Sequence, residues 1–78
     1  MYDTKIVING MTAMVKATHA PYFLKKEELA AQVRELQRQV VANPQATVLA
    51  HELGRIMGKI IRLNRKMKRE GMFCTIVK

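Results

Sequence analysis

The sequence predicts an α+β fold: a helical hairpin of two antiparallel amphipathic helices, with a small antiparallel sheet formed by an N-terminal β-hairpin and a C-terminal strand. Three observations point there. Residues 4–8 are rich in β-branched side chains and run into Asn9-Gly10, the dipeptide best suited to a two-residue hairpin turn. Apolar residues then recur with spacings of 4, 3 and 4 through two successive stretches, which on a helix draws one continuous seam in each. Finally, Met72 to Val77 (MFCTIV) is short, apolar and bounded by Gly71. With 78 residues the chain has room for one domain, expected to comprise a β-hairpin over 1–18, helix A over 22–42, a basic helix B over 44–69 and a strand over 72–77.

A type I′ turn at Asn9-Gly10 sets Ile8 opposite Met11, Ile6 opposite Ala13 and Thr4 opposite Val15. Ile6, Ile8, Met11, Ala13 and Val15 then share one face, while Lys5, Val7, Thr12, Met14 and Lys16 share the other, as a half-covered sheet requires. The competing reading makes residues 11–18 a short helix. Pro21 biases Ala20 away from the α region, so helix A is expected to begin near residues 22–25, with Glu27 and Glu28 in its opening turns where negative charge suits the dipole. Its seam is Leu29, Val33, Leu36 and Val40. Glu28, Gln32, Glu35 and Gln39 line one flank, and Arg34 and Arg38 another. Asn43-Pro44 reads as an N-cap followed by the first residue of helix B. So short a break favours antiparallel packing, seam against seam.

Helix B carries three surfaces. Leu49, Leu53, Ile56, Ile60, Leu63 and Met67 form its seam. Arg55, Lys59, Arg62, Lys66 and Arg69 form a cationic row, extended by Arg65 and Lys68. Ala46, Ala50, Gly54 and Gly58 fall four apart and leave a nearly bare strip. Glycine inside a helix costs about 1 kcal/mol relative to alanine, so two of them imply a close approach. Either helix A or the sheet packs over the strip, or a partner does; the candidate interface is Ala50, Gly54, Met57, Gly58 and Ile61. Of the six methionines, Met67 and Met72 read as core and Met57 as interface, since it forms an apolar patch with Ile61 off the main seam. Gly71 supplies the helix stop, and the closing strand, apolar on both faces, reads as central or covered.

Fourteen Lys and Arg against six Asp and Glu give a net charge of +8. From Arg55 onward there are eight basic residues against Glu70 alone, so the last third holds +7 of it. Such a balance favours anionic partners, nucleic acid or an acidic protein surface. The row from Arg55 to Arg69 runs about 21 Å at the helical rise, enough to follow several phosphates, and Arg suits bidentate contact with phosphate and carboxylate alike. Base-specific reading is disfavoured: helix B offers only Asn64 for adenine, and no aromatic interleaves the cations for stacking.

Other classes are disfavoured as well. The chain has no serine and no Gly-rich phosphate loop, its acids are scattered, and its size leaves little room for a substrate pocket of about 300 Å³, so no enzyme and no small-molecule substrate is expected. No cofactor or metal is expected either: His51 and Glu52 are adjacent helical residues that point about 100° apart and cannot hold one ion jointly. A single cysteine, Cys74, fits a reducing compartment and an inert packed thiol. There is no run of 18 apolar residues, and the first ten lack the cationic start of a signal peptide, so a soluble cytoplasmic protein without a membrane span is expected.

The order Glu27-Glu28-Leu29, a short break, then Met57-Gly58-Lys59-Ile60 on a basic second helix resembles the small helical-hairpin protein of the large ribosomal subunit, whose second helix carries an apolar-Ala-Arg-apolar run. The resemblance covers residues 25–69, with Gly58 in place of the alanine, a shorter spacing and flanking strands foreign to that family. It implies a basic hairpin lying on structured RNA. Two functions are therefore expected: an accessory protein on nucleic-acid phosphates, or a small regulatory interaction module or inhibitor of the kind phages and plasmids encode, docking on a larger protein and possibly a homodimer.

Overall fold

In the computed structural model the chain runs β1 (Thr4–Ile8), β2 (Met11–Val15), α1 (Ala20–Ala42), α2 (Thr47–Arg69) and β3 (Thr75–Ile76). Residues 2–77 are described, so Lys78, one of the eight basic residues of the last third, and Met1 lie outside the described residues. The two helices fold back on each other as a hairpin, and the three strands form one antiparallel sheet in the order β1-β2-β3.

β1 and β2 pair in the expected register, Thr4 with Val15, Ile6 with Ala13 and Ile8 with Met11. Asn9 and Gly10 both take positive φ, 51° and 76°, as the tight turn demands. Residues 11–15 are thus strand and not helix. Ile6, Ala13 and Val15 are buried on the inner face; Met11, at the turn end of it, is left exposed.

The closing segment is not the central strand its composition suggests. Only Thr75 and Ile76 join the ladder, opposite Met14 and Ala13, and they lie at the sheet edge with both side chains exposed. β2, flanked on both sides, is the central strand. Met72, at the head of the segment, is buried by another route. Gly71 (φ 69°) ends α2 in a Schellman motif: Gly71 N–H donates to the Lys68 carbonyl at 3.2 Å, and Met72 N–H to the Met67 carbonyl at 2.8 Å. That closure brings Met67 and Met72 into the same core, as the usual apolar contact across this motif does.

Both helix starts differ from expectation. α1 begins at Ala20, with His19 as its N-cap residue and Pro21 in the first turn. The preceding chain is already curled, His19 and Ala20 both donating to the Lys16 carbonyl at 2.9 and 3.1 Å. Proline is harmless there because the first-turn N–H groups have no helical acceptor. Glu27 and Glu28 consequently sit beyond the opening turn, which holds no acid. α2 begins at Thr47 instead of Pro44. Asn43 caps the end of α1, its N–H donating to the Gln39 carbonyl at 2.9 Å, and its own carbonyl accepts from Ala46 N–H at 3.1 Å. Asn43-Pro44 is therefore spent on a β-turn, where proline's fixed φ suits the second position.

The core gathers at the sheet end of the hairpin. Ile6, Ala13, Val15, Ala20, Phe23, Met67 and Met72 are buried together there. Further along, Leu29 and Ile56, each 4% exposed, join Met67 as buried seam residues, whereas Val33, Leu36, Val40, Leu49 and Leu53 are half-buried. One helix covers only part of another's surface, and a molecule measuring 48 × 26 × 14 Å has no further layer to finish the task.

Candidate nucleic-acid interface

α2 turns its seam toward α1 and leaves the rest of its circumference in solvent. Because the cationic row keeps the same 4-3-4 spacing as the seam, folding the hairpin leaves the row on an outer arc about 120° away. Arg55, Lys59, Arg62, Arg65, Lys66, Lys68 and Arg69 are all exposed. Lys66, Lys68 and Arg69 fall in the last turn of α2, where positive charge complements the negative end of the helix dipole.

These cations differ in their partners. Arg55 Nη2 donates to Glu52 Oε1 at 2.6 Å, one turn back on the same helix. Lys66 Nζ lies 5.2 Å from the centre of the Tyr22 ring, over its face, an attraction that leaves the ammonium charge intact. Among the described residues, Lys59, Arg62, Arg65, Lys68 and Arg69 make no ion pair. Among the described residues the three ion pairs, Lys25–Glu28, Arg38–Glu35 and Arg55–Glu52, all link residues three apart on one helix, and none crosses between elements. The one neutralised member of the row was legible in the sequence, since Glu52 and Arg55 are three residues apart and acidic-to-basic in the favourable order.

Among the described residues, none covers the glycines of the bare strip. A Cβ placed on Gly54 would meet nothing within 4 Å, and one on Gly58 would meet only the Arg62 Nη1 at 4.0 Å. The expectation that α1 or the sheet packs over Ala50, Gly54 and Gly58 is thereby overturned. Leu53, Ile56, Ile60 and Leu63 are instead the buried or half-buried apolar residues of this part of α2, a face rotated away from the glycines. Met57 and Ile61 flank the strip with 44% and 49% of their surface exposed. A shallow, open depression of about 410 Å³ is lined by Ala50, His51 and Gly54.

A second hollow of about 190 Å³ lies between the sheet and α1, bordered by Ile8, Phe23, Lys26 and Cys74. Cys74 is half-buried there as a free thiol against the core. The Asn9 N–H donates to Glu27 Oε2 at 3.3 Å beside it, holding the hairpin turn against α1. Sequence reading missed this tie, because nothing local links residues eighteen apart. Among the described residues there is no group of three or more His, Cys, Asp or Glu able to hold a metal ion. No helix among them is long and apolar enough to cross a membrane.

Searches of protein-family models, of curated proteins and of solved structures give no significant match to the chain, and the resemblance to the ribosomal hairpin protein gains no support from them.

Proposed function

We propose that the chain is a small, basic, non-enzymatic accessory protein of the cytoplasm that binds nucleic-acid phosphates through the outer arc of α2. The observation that carries this reading is the set of exposed cations on one rigid helix, Lys59, Arg62, Arg65, Lys68 and Arg69, without an ion-pair partner among the described residues. A helix holds its cations at a constant pitch, so several can meet successive phosphates without loop-ordering cost. Affinity of this kind is largely indifferent to base sequence and falls steeply with salt as condensed counterions are released. The lysines act as point charges and the arginines as forks that can take two phosphate oxygens.

The test is a binding titration of the full chain against duplex and single-stranded RNA and DNA at several salt concentrations. A linear fall of log affinity with log salt, and loss of binding in Lys59→Glu/Arg62→Glu with unchanged helical circular dichroism, are the expected results. Salt-independent binding, or full binding by the charge-reversed variant, would sink the reading.

A second reading, an interaction module or inhibitor docking on a larger protein, is favoured by the uncovered apolar face of α2 at Met57 and Ile61. It predicts one stoichiometric protein partner retained through nuclease treatment, with nucleic acid failing to compete.

A further inference from the structure

We propose that the nucleic acid held by the outer arc of α2 is single-stranded, and that one of its unpaired bases stacks on the ring of Phe73. The inference rests on the phosphate reading and adds the part of the ligand that phosphate contacts leave untouched. Among the two tyrosines and two phenylalanines of the chain, Phe73 is the most exposed, at 59%. Its neighbours turn it outward. Met72 is buried and Cys74 packs against the same core, so the side chain between them lies on the opposite side of the chain. The segment is anchored at both ends, since Met72 N–H donates to the Met67 carbonyl and Thr75 pairs with Met14 in the sheet.

The chain reversal at Gly71 sets this ring beside the cations. Along α2 itself no aromatic interleaves them, so the helix by itself offers contacts to phosphate alone. A Cβ placed on Gly71 would lie 3.8 Å from Phe73 Cε2, and Gly71 N–H donates to the Lys68 carbonyl at 3.2 Å. The ring therefore borders the last turn of α2, which carries Lys66, Lys68 and Arg69. The other aromatic near this end of the row is already engaged: Tyr22 is half-buried, with the Lys66 ammonium over its face. Phe73 keeps most of its surface open.

Charge and ring together select the partner. A row of cations that follows a backbone, with an open aromatic beside it, supplies both components of single-strand binding: phosphates lie on the cations and a base covers the ring. Cations alone suit duplex and single strand alike. A duplex keeps its bases stacked on one another and offers the ring no π-face until a step is opened at an energetic cost. An unpaired strand presents its bases freely. An acidic protein face would satisfy the cations and leave the ring without a planar partner. Every base has a π-face, so stacking tolerates any sequence, in keeping with a helix that carries only Asn64 for base reading.

The chain has no tryptophan, so Phe73→Trp in the full chain introduces a single fluorophore at the proposed contact. At low salt a mixed-sequence oligonucleotide should quench it on binding. An abasic strand of equal length, with the same phosphates and no bases, should bind without quenching. In fluorescence anisotropy the wild type should prefer the base-bearing strand over the abasic one by roughly 5- to 150-fold, the range of one stacking contact. Phe73→Leu, which keeps apolar bulk and loses the ring, should bind both strands with the wild type's affinity for the abasic one and unchanged circular dichroism. Equal affinity of the wild type for the two strands, a preference that survives in Phe73→Leu, or equal quenching by the abasic strand or a long duplex would each overturn the proposal and leave the phosphate reading standing. Failure to bind either strand at low salt would overturn both.

Discussion

Lys66 Nζ lies 5.2 Å from the centre of the Tyr22 ring, across the hairpin from the first turns of α1 to the last turns of α2. It fastens one member of the cationic row to another element, whereas five others, Lys59, Arg62, Arg65, Lys68 and Arg69, make no ion pair among the described residues. Such a contact is worth about 0.5–1 kcal/mol at a solvent-accessible site. A double-mutant cycle with Tyr22→Leu and Lys66→Met, followed by urea denaturation, should return a coupling of about that size. Zero coupling would mean the two groups are merely neighbours.

The Glu52–Arg55 pair makes a sharper forecast for anion binding. Glu52 occupies Arg55 in the free protein, so Arg55→Ala should reduce nucleic-acid affinity less than Arg62→Ala does. Glu52→Ala should raise affinity by releasing Arg55. Each phosphate contact removed should lower the salt slope by about 0.9 for duplex DNA. Fluorescence anisotropy at matched salt concentrations distinguishes the three variants, and equal losses for Arg55→Ala and Arg62→Ala would contradict the assignment.

Gly54→Ala should stabilise the monomer by about 0.8–1 kcal/mol, the helical propensity difference, because an added Cβ meets no atom within 4 Å. Thermal unfolding at a concentration low enough to keep the chain monomeric is the measurement. A destabilised variant would show that some part of the chain packs on the strip after all.

Adjacent residues on α2 should respond very unequally to truncation. Ile56 is 4% exposed and Met57 44%. Ile56→Ala should cost about 2–5 kcal/mol through lost burial and the cavity left behind, and Met57→Ala within about 0.5 kcal/mol in the monomer. Comparable losses would mean α2 is rotated about its axis from the orientation described.

On α1, the Arg38 guanidinium donates to both Glu35 oxygens, at 2.7 and 2.6 Å, and Gln39 donates to Glu35 at 3.2 Å. Those bonds, Arg38's first, hold the Glu35 carboxyl below the ordinary carboxylate value of 4.5. A lowered folded-state pKa stabilises the fold above the ordinary value, and that contribution is lost as pH falls through the lowered one. An NMR titration should show Glu35 titrating below its counterpart in Arg38→Leu. Coincident curves would show the pair to be absent in solution.

The sequence by itself determined everything whose cause is local. The β1–β2 register followed from Asn9-Gly10, since two positive φ angles leave one way to continue the ladder. The two seams followed from spacing, since 3.6 residues per turn puts Ile56, Ile60 and Leu63 on one side whatever lies opposite. The exposure of the cationic row followed too, because burying an unpaired Lys or Arg is too costly for so small a core. Only the tertiary structure decided matters resting on which surface meets which. Asn43-Pro44 suits both an N-cap and a turn, and the folded chain takes the turn: the Asn43 carbonyl accepts from Ala46 N–H, so α2 starts only at Thr47. The segment after Gly71 was apolar enough for a central strand, yet β2 has two edges to offer, one already held by β1, so β3 had to take the outside position. The glycines of α2 announced a close approach without saying to what. The orientation that buries Ile56 turns Gly54 and Gly58 outward, because two residues along a helix is about 160° around it, nearly the opposite side.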